Sequence, residues 1–499
     1  MNRRQFLQTF GIGAVAAAPL MRTLAALPEG AFLPAPAAAA PLANVVGRLT
    51  FGITPDLYTH LQSIDTPAFI AEQLAYDQID DSDADQRMQE FVQVLSQNGG
   101  VLAQEYAGMR TIVEGALIGQ WITRATYSQR QLYERMVQFF SNHFYEYAGK
   151  SEVLFLKVDD EREVIRPNVM TNFRQLLGAS AHSPAMLLFL DNAESTKDVP
   201  NENYARELME LQTVSVDGGY TETDVKEVAR CLTGWSITRP KDAPDGSIKY
   251  MYRPGIHDNG SKTVLGHTIP ARGGEQDGET VLDLLASSPA TAQFISTKIA
   301  RRFVSDTPPD SLVQRMAATF QQSSGDIKSV LNMLFASSEF QNAPPKFKQP
   351  IEYTVSVLRA LNFDITNQRR FLSYISKSLQ SMGQIPFNWV MPNGFPDTED
   401  EWTGSLLSRW NLALAAVNNQ ITGAEINVQP LLDLMTSAQI SNAADDRLGF
   451  MGKYLLGRDL TSDEQALVVG FAQSVASDSD GQLAAGTALM LASPAFQYR

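Results

Sequence analysis

Beyond Pro41, apolar side chains recur at spacings of three and four over most of the chain, the period of helices that bury one face. Between Ser128 and Phe144, Leu132, Met136, Phe139 or Phe140, and Phe144 share a face, and Ser128 and Gln131 have capping-box spacing. A second helix is predicted from Asn201 to about Val214. A third runs from about Glu222 to Leu232, opening on Thr221 and Asp224 in capping-box spacing and stopping at Gly234. Further helices are expected near 168–180, 279–304, 309–337, 349–380, 402–418 and 461–475. The predicted fold class is therefore all-α, a large multi-helix domain over residues 41–499. Lys249 to Ile269 breaks the period: Tyr250-Met251-Tyr252, an Asp258-Asn259-Gly260 turn and Thr263 to Ile269 read as a small β-hairpin or loop insertion. A polar loop is expected from Asp191 to Pro200, and ordered loops of that kind often carry function.

Composition narrows the function without naming it. The 499 residues are 44% hydrophobic and 19% charged, ordinary globular usage rather than disorder or low complexity. A net charge of −15 disfavours a nucleic-acid groove or an anionic membrane surface, both of which need clustered cations. Cys231 is the single cysteine, so intrachain disulfides, cysteine zinc sites and iron–sulfur clusters are excluded.

At the amino terminus, Asn2-Arg3-Arg4-Gln5-Phe6-Leu7 precedes a short, weakly apolar stretch from Phe10 to Pro19, which looks like a twin-arginine export signal. That stretch falls short of the ~20 residues a membrane span needs. Residues 1–40 are expected to be signal and linker, with small residues for cleavage at Ala37-Ala38-Ala39, and the mature chain periplasmic or extracellular.

Five histidines can each be weighed. His60 and His267 lack acidic neighbours in sequence, His143 ends an aromatic helix, His182 precedes a helix, and His257-Asp258 sits at a loop tip with Lys262 following. For any one alone, a structural histidine is the commoner explanation. The densest polar cluster is Asn201 to Leu211: Glu202, Arg206 and Glu210 share one face, Asn203 and Glu207 the adjacent one, and Tyr204, Leu208 and Leu211 an apolar stripe. It reads as a solvated ion-pair ladder unless Glu207 is buried beside Arg206. No metal-ligand spacing is present, nor a nucleophile elbow, P-loop or dinucleotide fingerprint. The sequence implies no particular cofactor.

Several blocks in order carry a family resemblance. They are Asn142-His143-Phe144, Ile165-Arg166-Pro167, His182 to Leu187 with Leu190-Asp191-Asn192, Asn201 to Leu211, Val216 to Thr221, Leu232-Thr233-Gly234-Trp235, His257-Asp258 with Lys262, Gly383-Gln384 and Arg409-Trp410-Asn411. Together they resemble the domain-of-unknown-function 1800 family over about residues 44–499. The resemblance implies a helical exported bacterial protein, often encoded beside a second exported protein similar in fold to phosphatases and sulfatases. Three histidines usual in that family are Asn44, Gln212 and Ser288 here. None of these can act as a near-neutral base or an imidazole ligand.

These observations lead to an expected polar cleft assembled from segments 142–144, 201–210 and 257–262. His143, Glu207 and His257 are its candidate catalytic groups, and Asn142, Asn203, Arg206, Asp258 and Lys262 its candidate binding groups; no metal site is assigned. The leading function is a cell-envelope binding or assembly partner of a co-exported phosphatase/sulfatase-like protein, with a periplasmic hydrolase using a Glu/His/Arg cleft as the alternative. Trp235 is expected to be buried against the Tyr204 and Leu208 stripe.

Overall fold

Where apolar periodicity and a capping side chain coincide, helices form. In the computed structural model, which describes residues 14–27, 31–32, 41–238 and 245–499, the capping box at Thr221 and Asp224 starts the helix Glu222–Cys231, and the apolar face at Leu132 and Met136 belongs to Gln131–His143. The chain is mostly helical, with small antiparallel strand pairs. Among the described residues, no helix is long and apolar enough to cross a membrane. Arg3 and Arg4 lie outside the described residues.

Several long predicted helices are broken, each at a residue with local chemistry of its own. The 279–304 stretch divides into Gln276–Ser287 and Pro289–Phe303, because Ser288 accepts from the Ala290 N–H and Pro289 cannot donate to a preceding turn. The 309–337 stretch breaks at Ser324 and Gly325, both at positive φ. The 349–380 stretch divides around strand Phe363–Ile365, which pairs with Ala424–Ile426. At Ser128 the expected capping box is absent: Gln131 accepts from the Phe51 N–H and donates to the Ser128 carbonyl. The 249–269 insertion holds the hairpin Lys262–Val264 with His267–Ile269, and Tyr250–Tyr252 pairs back to Trp235–Ile237.

Two large apolar cores result. One draws on residues between Val45 and Ala343, the other mainly on residues between Ile351 and Phe496, with Leu20 and Phe32 also packed into it. They meet along a seam bridged by buried ions. Glu352 is paired with Arg135, with Arg302 at 2.9 Å and with Arg499 at 3.3 Å. Burial pushes the Glu352 carboxyl up, but Arg302, Arg499 and Arg135 outweigh it and hold the group well below the usual carboxylate range.

Candidate functional site

On this seam lies a cavity of about 260 Å³. One wall comes from Gln131–His143 and Pro289–Phe303, the other from Gln349, Ile351 and the stretch from Gln384 to Asp397. Aromatic side chains line much of it: Trp121, Phe139, Tyr145, Phe294, Phe387 and Phe395. Its cations are Lys298, Arg301 and Arg302, whose i, i+3, i+4 spacing puts them on one side of the last helical turns, where the helix dipole favours positive charge.

Asn142 fixes the second wall. Its Nδ2 donates to the Phe395 carbonyl at 2.9 Å, and its Oδ1 accepts from the Phe395 N–H at 2.8 Å. Gly394 has φ 71°, and a Cβ there would come within 2.3 Å of the Asn142 carbonyl oxygen, so the loop approaches the helix as closely as glycine allows.

His143 is buried behind this cavity. Its Nε2 lies 3.1 Å from the Gln212 carbonyl, which can only accept, so the proton sits on Nε2. The Nδ1 lone pair is then free to accept from Lys298 Nζ at 2.9 Å. Burial, and then the Lys298 charge, push the imidazole well below its ordinary value, which keeps it neutral. Burial and the nearby Arg301, opposed by Asp397, bring Lys298 down to about 8. Arg302 is committed to Glu352 and Gln138. Lys298 and Arg301 differ: among the described residues neither forms an ion pair, and Arg301 Nε donates to the Asp306 carbonyl.

A second polar cluster supports the helix from behind. Lys157 is buried among Asp160 at 2.6 Å, Glu146 at 3.1 Å and Glu161 at 3.4 Å, and Ser141 donates to Glu161 at 2.5 Å. Asp160 and Glu161 open a π-helical segment, Asp160–Ile165. Among the described residues, no three His, Cys, Asp or Glu side chains are grouped to hold a metal ion; here a lysine ammonium takes the central place.

The segments expected to converge share no bond and no cavity wall among the described residues. No hydrogen bond or ion pair joins His143, Glu207 and His257 among the described residues, and segments 201–210 and 257–262 contribute no wall to the cavity beside Asn142. Glu207 is half-buried, and burial, then Glu210, raise its pKa against Arg206. Arg206 is instead clamped by Glu222, both contacts 2.7 Å, with Glu202 at 3.7 Å. The helix Glu202–Glu207 passes into a π-helical turn, Leu208–Gln212, which breaks the straight face that i, i+4 counting assumes. Asn203 is exposed and donates to the Leu190 carbonyl.

His257 belongs to a buried structural group. Its Nδ1 is 2.7 Å from the Thr233 carbonyl, and its Nε2 is 3.1 Å from Asp277, which also holds Lys262 at 2.5 Å. Asp258 pairs with Arg230 at 2.8 Å. Cys231 is buried, and burial pushes its thiol up to about 12, which leaves it unreactive. Trp235 is fully buried, as its sequence context predicts, with other ring partners than expected: it stacks on His182 at 4.6 Å and meets Tyr250 edge-on at 5.5 Å. His60 pairs with Glu72, and His267 is exposed on its strand.

Of the other residues singled out from the sequence, Gln212 uses its backbone to orient His143, Ser288 caps Pro289–Phe303, and Asn44 donates to the Phe340 carbonyl. Lys298 and Arg301 escape the sequence reading because helix-end cations are common. The available signal was that no acidic residue lies between Pro289 and Val304 to neutralise Lys298, Arg301 and Arg302 locally.

A family model described as "Protein of unknown function (DUF1800)" matches residues 44–498. No curated protein and no solved structure matches the chain.

Proposed function

This chain belongs to the DUF1800 family, and from that premise we propose that it is an exported cell-envelope protein that binds an anionic ligand beside a co-exported phosphatase/sulfatase-like protein. The observation that carries the reading is the pair Lys298 and Arg301, two cations with no carboxylate at ion-pair distance among the described residues, which line one aromatic cavity on the seam together with Arg302 and Asp397. Cavities between packed units are common ligand sites. A guanidinium and an ammonium together suit a sulfate, phosphate or carboxylate group, and the aromatic rim suits an organic ring attached to it. Such esters are also what phosphatase- and sulfatase-like proteins handle, which ties the cavity to the partner.

The test is thermal unfolding of the full chain with 4-nitrophenyl sulfate or 4-nitrophenyl phosphate, set against neutral 4-nitroanisole. A melting temperature raised by the esters alone supports the proposal; equal shifts for all three sink it. A second reading, a hydrolase, is favoured by the Lys298–His143 contact, because an amine that loses its proton near pH 8 beside a neutral imidazole can accept a proton from water. Release of 4-nitrophenol that disappears in Lys298→Met supports hydrolysis, and binding without release supports the binding protein.

Export rests on Arg3 and Arg4 ahead of the weakly apolar segment. Replacing both by Lys is expected to trap precursor in the cytoplasm, since the export receptor distinguishes guanidinium from ammonium. Cell fractionation that finds the double variant exported normally overturns this part of the proposal. Residues 41–499 are proposed to act as one large domain, with the seam as its working part.

A further inference from the structure

We infer that a second cavity, lined by Glu352 itself, binds an apolar chain ending in a single carboxylate. Its volume is about 340 Å³, within the ~300–1,000 Å³ typical of small-molecule sites. One end is polar, with Arg135, Lys348, Glu352, Ser356 and Arg499; the remaining walls include Val46, Phe51, Tyr58, Leu456 and Phe496.

The polar end gathers more positive charge than Glu352, together with Asp397 3.5 Å from Arg302, can balance, and burial brings the Lys348 amine down to about 7. Arg48, Arg135, Arg302, Lys348 and Arg499 are all buried around it. Arg48 gives Nη1 and Nη2 to the Val304 and Pro344 carbonyls, its Nε alone lacking a partner, and Arg135 is satisfied by the Thr50 and Gly47 carbonyls as well as by Glu352. Lys348 and Arg499 are left short. Lys348 Nζ donates to Ser356 Oγ at 3.3 Å, stands 3.7 Å over the Phe496 ring and forms no ion pair among the described residues. Arg499 gives Nη2 to the Arg302 carbonyl and its Nε lies 3.3 Å from Glu352, but its buried Nη1 has no hydrogen-bond acceptor.

Buried cationic donors without acceptors are costly, and folded proteins seldom retain them. A carboxylate beside Lys348 and Arg499 would supply two acceptor oxygens and one negative charge. Glu352 lines the same cavity and repels a doubly charged anion, which favours a monoanion over phosphate. The apolar walls then select a hydrocarbon body. A fatty-acid-like molecule fits both ends, and this inference stands independently of the Lys298 cavity.

The test is calorimetric titration of the full chain with dodecanoate below its micellar concentration, alongside dodecan-1-ol and inorganic phosphate. Dodecanoate is expected to bind at least tenfold more tightly than the alcohol, and phosphate to leave it undisplaced. Lys348→Met, which keeps the stem and drops the charge, is expected to weaken dodecanoate at least tenfold while the melting temperature holds. Equal binding of acid and alcohol, displacement by phosphate, unchanged affinity in a folded Lys348→Met or no binding at all would overturn the inference. Should Lys348→Met fail to fold, the preference of the wild-type chain for acid over alcohol still decides.

Discussion

Lys298 shows how a single residue acquires a role from its surroundings. Its sequence neighbours describe a helix-end cation; burial, and then the Arg301 charge against that of Asp397, lower its amine to about 8. A folded-state value below the ordinary 10.5 means the unfolded chain binds more protons between the two values, so stability rises with pH through that window. The penalty is fully present below about pH 8 and is gone above the unfolded value. Relative to Lys298→Met, the wild-type chain is therefore expected to gain about 1 to 2 kcal/mol as pH rises from 8 to 10.5, discounted for partial exposure. Denaturant titrations of both proteins at several pH values measure this, and a flat difference would count against the lowered amine. The sequence singles out His143 and Asn142 by their place at an aromatic helix end. Their roles were not legible there, because the Gln212 carbonyl and the Phe395 loop that define them are distant in sequence.

Among elements, capping chemistry carried most of the information. Thr221 and Asp224 announce the helix Glu222–Cys231 by local hydrogen bonds alone, and the structure forms that box. Periodicity also located the apolar faces, yet it ran adjacent helices together, since Ser288 and the Ser324-Gly325 turn interrupt the chain without interrupting the apolar count. The polar helix at 201–211 was visible as an element, but its π-helical turn from Leu208 to Gln212 lay beyond i, i+4 counting. Arg206 pairs with Glu222, and among the described residues Glu207 forms no ion pair. Glu207→Gln is therefore expected to be neutral or slightly stabilising at pH 7, within about 1 kcal/mol, because a carboxyl with a raised folded value is disfavoured once it ionises. Thermal unfolding showing a loss of several kcal/mol would instead mean that Glu207 holds a buried cation.

At the scale of the whole molecule, the two cores are joined by charge as well as by apolar packing. The all-α class was legible because its signal is repeated along the chain. The seam was not, since Arg135, Arg302, Glu352 and Arg499 are scattered through the sequence and meet only after both cores form. Glu352→Gln is expected to cost about 3 to 5 kcal/mol by stranding those guanidinium groups in the interior. Because the Glu352 carboxyl is held well below its ordinary value, that stability is present above the unfolded value and is lost as pH falls through the folded one. Equilibrium unfolding in which the variant matches wild type at pH 7 would contradict the seam's role. The same seam houses the cavity on which the functional proposal rests, and one measurement bears on it most directly: calorimetric titration of 4-nitrophenyl sulfate into the wild-type chain and into Lys298→Met at pH 7. Saturable one-to-one binding to wild type, at least tenfold weaker in a variant with an undiminished melting temperature, is the expected result; equal affinity in the two proteins, or no binding to either, would contradict it.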